Sequence, residues 1–443
     1  MKAKLLKLRW MKMTTIVMLL IFSLVGCVSS QADENVASST IQTEVTATST
    51  DASSTNIAAT ASTGTTTTDT TATTSSNTTI TDSANSNNDN VAIPLSTVES
   101  SMLATAELFS ERDLEQSPDL TNAVFVELKS DEDFIITQEG VYILNGEVTN
   151  ATIIVDAPDD AKVQVVLDGV SITNEASPAI YVKSADKVFV TTTDSENYLE
   201  VSGTYVAEED VQVDAAIFSK ADLVLNGVGS LEILSMEGNG ITSKDDLKVT
   251  GGTFSIKAYA DALEANDAIL IYDGEIDIVA NADGLHSENN DDTSLGYIYI
   301  HNGTLTISAG DDAIHANSIV QIDGGIITIE TCREGIEGTY IQINGGEIDI
   351  TAKDDGINAA AKSDYDVVIE LNDGLIHIVM GSGDTDAVDS NGDIYVNGGT
   401  IDIEATSAFD SDGTAELNGG DVTVNGSKIS EIIQRQMGGG KRR

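Results

Sequence analysis

Positive charge and aromatic side chains are scarce in this 443-residue chain. It has 22 Lys and Arg against 72 Asp and Glu, a formal net charge of −50, and only 5% of its residues are aromatic. Because phosphate binding depends on clustered Lys and Arg, this balance argues against nucleic acid as a partner. Hydrophobic residues still reach 41%, which is enough for one large core or two smaller ones.

Proline and cysteine are rare as well. The last of the four prolines is Pro178, so the 265 residues after it contain no strand-breaking proline, which suits a long, regular β architecture. The two cysteines are Cys27 and Cys332. If Cys27 is acylated, no internal disulfide can form. Stability in an oxidising compartment must then come from packing or metal ions.

Residues 1–26 have the order of a secretory signal peptide, with five cations followed by an apolar run from Ile16 to Val25. The next residues, Leu24-Val25-Gly26-Cys27, resemble a bacterial lipobox, which implies cleavage before Cys27 and acylation of its thiol. An uncleaved anchor or an ordinary signal sequence is the alternative, but the run is short for a membrane span of roughly 20 residues. Cleavage leaves 17 cations against 72 acids. We expect a lipid-anchored protein on the extracellular face of the bacterial membrane.

Residues 27–110 predict a disordered linker. In residues 28–90, 31 of 63 positions are Ser or Thr, and no aromatic residue lies between Phe22 and Phe109. Such a segment cannot bury enough apolar surface to offset its chain entropy. It therefore reads as a tether to the membrane. At the other end, residues 431–443 predict a flexible Gly-rich and basic tail.

Residues 111–430 form a repetitive domain in which short β-rich runs are separated by Gly-Gly turns, as in Ile343-Asn-Gly-Gly-Glu-Ile-Asp-Ile350. Successive turns are 21 to 29 residues apart, a basic unit of 21 to 22 with some loop insertions. The second turn position is occupied by Gly252, Gly274, Gly303, Gly325, Gly346, Gly374, Gly399 and Gly420.

Apolar and polar residues alternate on both sides of each turn, which predicts strands with one buried face. Three short strands per unit would make one coil, and stacked coils would place equivalent residues about 4.8 Å apart. The sequence therefore predicts an all-β, right-handed parallel β-helix with an interior of Ile, Leu, Val and Ala. The Asn residues before the glycines, such as Asn344 and Asn397, predict a ladder of side-chain amides at the turns.

A second motif follows most Gly turns by nine residues, as in Asp283-Gly-Leu-His286 and Asp386-Ala-Val-Asp389. Its apolar third residue points inward, so the fourth and sixth should point outward, while the first lies at the preceding turn beside them. Three polar columns should therefore run along one edge of the solenoid. Neighbouring carboxylates would repel by roughly 3 to 4 kcal/mol at an effective dielectric near 20. Oxygen ligands at this density suit Ca²⁺.

We predict calcium ions that bridge adjacent coils. The predicted ligands are Asp261, Asp283, Asp311, Asp312, Glu334, Asp354, Asp355, Asp386 and Asp389. The alternative is a solvated acidic face without ions. His286 and His315 could suggest a transition metal, but their column also holds Glu, Asn and Asp, which favours a polar ladder with a minor metal role.

The lipobox, the Ser/Thr tether and the Gly-Gly coils with their Asp-Gly-Ile/Leu motif resemble the bacterial carbohydrate-binding β-helix lipoproteins, over roughly residues 118–440. The resemblance implies a pectate-lyase-like right-handed β-helix with bound calcium that binds cellulose or acidic pectin and is not established as an enzyme. We expect a monomer. Neutral glycans would require aromatic platforms. The candidates are Tyr272, Tyr299 and Tyr395, although cross-strand packing explains them equally well.

Two other functions stay open. A calcium-dependent lyase would need a basic residue to remove a proton beside the uronate carboxyl group, and Arg333 with Lys353 is the plausible pair. Gly310-Asp311-Asp312 is similar to an element of polygalacturonases, but the companion elements of that family are absent. A surface adhesin is also compatible with the tether.

Overall fold

Parallel strands dominate residues 102–206, 212–383 and 385–433, which are the residues that the computed structural model describes. They form 36 strands and one four-residue helix, α1 (Thr105–Leu108). Among these residues no helix has the length and hydropathy needed to cross a membrane. The predicted signal peptide, Cys27 and nearly all of the predicted linker lie outside the described residues.

The strands stack in coils with three faces. The first three strands of the larger sheet lie at the N-terminal end, and two of them are long enough to bend across faces A and B: β1 (Val124–Glu127), β3 (Gly140–Thr149) and β5 (Lys162–Asn174). Face A then continues through β7 (Lys187–Thr192), β10 (Asp222–Gly227), β13 (Asp246–Val249), β16 (Ala268–Ile271), β19 (Tyr297–Ile300), β22 (Ile319–Ile322), β25 (Tyr340–Ile343), β28 (Val368–Leu371), β31 (Asp393–Val396) and β34 (Ala415–Leu417).

Face B belongs to the same 24-stranded sheet. Its strands are β8 (Glu196–Val201), β11 (Ser230–Ser235), β14 (Thr253–Ala258), β17 (Glu275–Ala280), β20 (Thr304–Ser308), β23 (Ile326–Cys332), β26 (Glu347–Ala352), β29 (Leu375–Met380), β32 (Thr400–Glu404) and β35 (Asp421–Val424). The short strand β36 (Ser427–Lys428) closes this end by pairing antiparallel with β35.

Face C is a separate sheet of twelve parallel strands, one from each turn of the solenoid. It consists of β2 (Phe134–Ile136), β4 (Ile153–Asp156), β6 (Ile180–Ser184), β9 (Ala215–Ser219), β12 (Asn239–Ser243), β15 (Leu263–Ala265), β18 (Leu285–Ser287), β21 (Ile314–Ala316), β24 (Ile336–Gly338), β27 (Asp355–Ala359), β30 (Asp386–Ser390) and β33 (Ser407–Ser411). The all-β parallel solenoid predicted from the repeat is confirmed.

The turn between faces A and B explains the Gly-Gly motif. All eight glycines that define the repeat have positive φ, between 81° and 136°, a region that L side chains rarely adopt. The turns also stack closely: a Cβ atom on Gly325 would lie 2.9 Å from the carbonyl oxygen of Gly303. Both the backbone conformation and the space therefore select glycine.

Aliphatic ladders fill the interior, as predicted. On face A, for example, Ile269, Ile298, Val320 and Ile341 occupy successive coils in register and are fully buried. Burying each such side chain stabilises the fold by roughly 1.5 to 3 kcal/mol. Cys332 lies in the same core, where burial raises the pKa of its thiol to about 12.

The predicted amide ladder is also present at the turn. Asn344 donates a hydrogen bond to the Asp323 carboxylate at 2.8 Å, and Asn372 donates to Asn344 at the same distance. Asn397 and Asn418 extend the ladder at 2.8 and 3.0 Å. Each amide group thus donates a hydrogen bond to the side chain on the preceding coil, so this column is part of the scaffold.

Residues 102–123, here called the N-terminal strap, lie across the outside of face A. Phe109 packs edge to face on Tyr272, with ring centroids 5.3 Å apart, and the buried Asp113 pairs with Lys187 at 3.1 Å. The sequence assigned residues 102–110 to the disordered linker, but they pack on the solenoid. The reason is their apolar content, since Phe109 is buried and Leu103 and Leu108 pack against the same cluster.

Candidate functional site

Two of the three predicted polar columns, from the first and fourth positions of the motif, define an edge of face C. The acid column is Asp261, Asp283, Asp312, Glu334, Asp355 and Asp386, and the outward column is Glu264, His286, His315, Glu337, Asn358, Asp389 and Asp410. Strand pairing brings the outward residues into register from coil to coil. The two columns together are called the polar seam below.

Hydrogen bonds connect the seam with an offset of one coil. Asp261 uses Oδ1 to accept the backbone N–H of Asp283 at 2.9 Å, and its Oδ2 lies 3.0 Å from Nδ1 of His286. Asp283 repeats the pattern with the N–H of Asp312 at 2.9 Å and with Nδ1 of His315 at 3.2 Å. Asp261 and Asp283 therefore each hold the coil that follows them in the chain.

The middle of the seam contains its own cations. Burial opposes a charge on His286, but the hydrogen bond and charge of Asp261, with further charge from Asp283, outweigh it and raise the imidazole pKa to about 9. Lys362 donates from Nζ to Glu337 Oε2 at 2.5 Å. Lys244 pairs with Glu264 at 3.3 Å.

Arg333 neutralises the next part of the seam. Its guanidinium group contacts four carboxylates on three coils: Asp311, Asp312 (3.2 Å), Glu334 (2.6 Å) and Asp354 (3.1 Å). Even so, burial together with the charges of Glu334 and Asp283 raises the pKa of Asp312 to about 8. Four predicted calcium ligands thus already share a counter-ion supplied by the chain.

The same contacts bear on the predicted lyase base. Arg333 donates to several carboxylates, and these hydrogen bonds and charges outweigh burial and raise its pKa. A base must give up its proton, so this environment opposes that role. Lys353 lies on the adjacent coil, where its backbone N–H donates to the Arg333 carbonyl at 3.2 Å, and its side chain is exposed.

Among the described residues, the C-terminal part of the seam has no such counter-charge. Residues 363–427 contain 14 acids and no Lys or Arg. Burial, with the charges of Asp389 and Glu334 outweighing a backbone hydrogen bond, raises the pKa of Asp355 to about 7. Burial and the charges of Asp386 and Asp410 raise the pKa of Asp389 to about 6. Here the acids compete for protons or for an external cation.

The three predicted tyrosine platforms have different environments. Tyr299 has no exposed surface, because the strap covers it and Thr105 bonds its hydroxyl group at 2.5 Å. It therefore lacks the free ring face that a sugar platform needs. Tyr272 is half-buried between Phe109 and His301. Tyr395 is half-buried beyond the strap contacts, and its hydroxyl group donates to Asp393 at 3.2 Å.

Sequence reasoning missed two features. One is a groove of about 520 Å³ on face B, lined in part by Tyr198, Glu196 and Glu232. No motif marks it. The other is the role of Arg333. Extending the second motif by one residue towards the N-terminus would have found it, since Arg333 then occupies the same column as Asp311 and Asp354 on the flanking coils.

The fold and the seam together define a parallel β-solenoid protein with an acidic edge. Residues 130–382 and 333–430 match the family described as carbohydrate-binding domain-containing protein. A protein with that description from Acetivibrio thermocellus is 36% identical over 203 residues, which are 45% of this chain and 71% of that protein. The chain belongs to this carbohydrate-binding domain family.

A solved structure is also similar: the polysaccharide lyase-like protein from C. thermocellum, as a gadolinium derivative. It is 31% identical, covers 51% of this chain and 92% of its own, and has a TM-score of 0.44.

Proposed function

We propose that this chain is a lipid-anchored protein of the bacterial cell surface whose solenoid binds polysaccharide, with Ca²⁺ bound at the C-terminal part of the seam. Membership of a carbohydrate-binding domain family supports the ligand class. The order of basic residues, apolar run and Leu-Val-Gly-Cys27 supports the anchor.

The observation that supports calcium most strongly is the contrast in counter-charge. Asp355 lies beside Asp386, and Asp389 beside Asp410, on successive coils, and the last three of these acids belong to residues 363–427, which contain no Lys or Arg. Their donor set consists of carboxylate oxygens, which is the chemistry that Ca²⁺ prefers. These four residues would hold calcium ions between adjacent coils, and the ions would supply the positive charge that relieves the repulsion.

An acidic polymer such as polygalacturonate is the preferred ligand class. A protein with a net charge of −50 should repel a polyanion. Calcium reverses that repulsion if the ion accepts carboxylate oxygens from both the protein and the polymer. A neutral polymer such as cellulose would instead bind without a need for the ion.

The test measures binding of polygalacturonate and of cellulose to the full chain, with calcium and with a chelator. We expect calcium-dependent binding of polygalacturonate that weakens at least tenfold in a variant with Asp389→Asn and Asp410→Asn. The matched control is Asp402→Asn with Asp421→Asn, which removes two exposed acids from face B.

Polygalacturonate binding that is unchanged by the chelator would contradict the calcium bridge. Ultraviolet absorbance of the same mixtures tests the lyase alternative, because lyases produce unsaturated uronates. We expect no increase in absorbance. An increase that is lost in Arg333→Ala would favour the enzyme over the binding protein.

A further inference from the structure

Two of the four histidines lie side by side on the seam. His286 and His315 occupy the outward column of adjacent strands β18 and β21, and their rings stack with centroids 4.9 Å apart and planes 15° apart. His301 and His377 lie elsewhere, the first at the turn after face A and the second on face B. The pair therefore places two imidazoles at one point of an otherwise acidic and amide column.

Both imidazoles direct Nδ1 at the same carboxylate oxygen. Oδ2 of Asp283 lies 3.2 Å from Nδ1 of His315 and 3.7 Å from Nδ1 of His286. Oδ2 of Asp261 lies 3.0 Å from Nδ1 of His286. Ligand bonds of about 2.0 to 2.2 Å in a tetrahedral site separate ligand atoms by about 3.3 Å. The observed distances lie on either side of that value.

We propose that His286, His315 and Asp283, whose ligand atoms all lie within 4.8 Å of one another, bind a divalent transition-metal ion such as Zn²⁺. Imidazole nitrogen is a ligand for zinc, copper and nickel, whereas calcium takes oxygen ligands. This site is therefore different in chemistry and in place from the proposed calcium site. It does not depend on the glycan-binding function.

A neighbouring group of side chains shows why the ion belongs at this position. Asp312, His315 and Glu337 also lie close enough to share an ion. The ammonium group of Lys362 already occupies that group, since Nζ is 2.8 Å from His315 Nε2 and 2.5 Å from Glu337 Oε2. The chain thus supplies a cation to one group and leaves the other to bind an external one.

The surroundings suit coordination through Nδ1. The side chains of His286, His315 and Asp283 are 20%, 15% and 10% exposed, so the site is sheltered yet reachable. When Nδ1 of His286 binds an ion, Nε2 carries the proton. In the structure this Nε2 is buried and has no hydrogen-bond partner, and the Glu288 carboxylate lies 3.5 Å away, close to accepting that proton.

Lys362 should oppose the ion. Its ammonium group donates to Nε2 of His315, which keeps the proton of this ring on Nδ1, where the ion would bind. Coordination moves the proton to Nε2 and leaves Lys362 paired with Glu337 alone. Removal of the ammonium group should therefore strengthen binding.

The test uses the full chain freed of metal by a chelator and then dialysed. Isothermal titration with Zn²⁺ should detect an ion that millimolar Ca²⁺ does not displace. His286→Asn and His315→Asn should each weaken binding at least tenfold, and Lys362→Gln should strengthen it. Asn already occupies this column at Asn358, so the fold should accept the change. His377→Asn is the matched control and should leave Zn²⁺ binding unchanged.

A second measurement needs no variant. With one equivalent of Cu²⁺, electron paramagnetic resonance of the unmodified chain should show hyperfine coupling to two imidazole nitrogens. Coupling to fewer than two nitrogens would overturn the proposal. Zn²⁺ affinity that persists in a variant with both His286→Asn and His315→Asn would also overturn it. Absence of Zn²⁺ binding would assign the stacked pair to a purely structural role as imidazole partners of Asp261 and Asp283.

Discussion

The middle and the C-terminal parts of the polar seam have the same backbone and the same register but differ in how their acids are neutralised. From Asp261 to Glu337 the chain places His286, His315, Lys362 and Arg333 among the carboxylates. From Asp355 onwards it places none of these, and two carboxyl pKa values rise to about 6 and 7. A stacked fold thus permits one column to be paired mainly with the chain's own basic and imidazole side chains in one region, here called closed, and to lack such partners in another, here called open.

This difference matters because stacking removes the usual escape from repulsion. On a single helix or loop, like charges can turn away from each other into solvent. In the seam, strand pairing fixes each residue beside its equivalent on the next coil, as with Asp389 between Asn358 and Asp410. Protonation, an internal cation or a bound ion are then the available responses.

The largest change in the free energy of unfolding should follow from removing the counter-ion in the closed region. Arg333→Ala leaves the buried Asp312 and Glu334 without their counter-ion, and removing one partner of a buried charge pair costs about 3 kcal/mol. We take the lower end of that range because the Arg333 side chain is 43% exposed. Urea denaturation in a chelator at pH 8 measures the change in free energy of unfolding.

Lys428→Ala is the control for this substitution. Lys428 pairs with Asp421 at 2.8 Å, but both side chains are more than half exposed, so the loss should stay below about 1 kcal/mol. Equal losses in the two variants would show that the seam carboxylates do not depend on Arg333.

The next largest effect is on the pH dependence of stability, which should differ between the two regions. The raised pKa of His286 means that the folded state holds its proton more tightly than the unfolded state, so this stability is complete below pH 6.5 and is lost as the pH rises towards 9. The loss should be about 3 kcal/mol. The raised pKa values of Asp355 and Asp389 also lower stability as the pH rises, but between about pH 4 and 7.

Melting temperature between pH 4 and 9, in a chelator, measures both windows. His286→Asn should flatten the upper window and spare the lower one, whereas Asp355→Asn should do the reverse. Asp312 adds a decline up to about pH 8 in both variants. A loss of stability between about pH 8 and 9 that persists in His286→Asn would contradict the assignment to this imidazole.

Much of this comparison could be predicted from the sequence, and the limit of the prediction has a physical reason. The repeat fixes which residues share a column, so the two columns of face C follow from spacing. Spacing within one coil does not show that Asp261 binds the side chain of the next coil, at His286. Lys362 comes from a loop insertion, and the strap contacts residues up to 240 positions away, so neither follows from the repeat.

A smaller change in the free energy of unfolding should follow from removing one negative charge from the open region. Asp389→Asn removes one charge from a column of acids while retaining an acceptor oxygen. In a chelator at pH 8 it should raise the free energy of unfolding by about 1 kcal/mol, since the repulsion of Asp386 and Asp410 is removed. It should also reduce the increase in melting temperature caused by calcium. Asp402→Asn, an exposed change on face B, should do neither; a destabilised Asp389→Asn in the chelator would contradict the repulsion.

The smallest expected effect tests which face of the C-terminal coils binds the glycan. Tyr395 lies on face A of the same coils, whereas the open acids lie on face C. If the polymer binds through calcium on face C, Tyr395→Ala should change polygalacturonate affinity by less than about twofold, or about 0.4 kcal/mol. A neutral glycan that stacks on the ring should instead bind about threefold more weakly to Tyr395→Ala.

Tyr395→Phe retains the ring and loses only the hydrogen bond to Asp393, so it should behave like the unmodified chain towards both polymers. A large loss of polygalacturonate binding in Tyr395→Ala alone would move the binding surface from the seam to face A, because the seam carboxylates are intact in that variant.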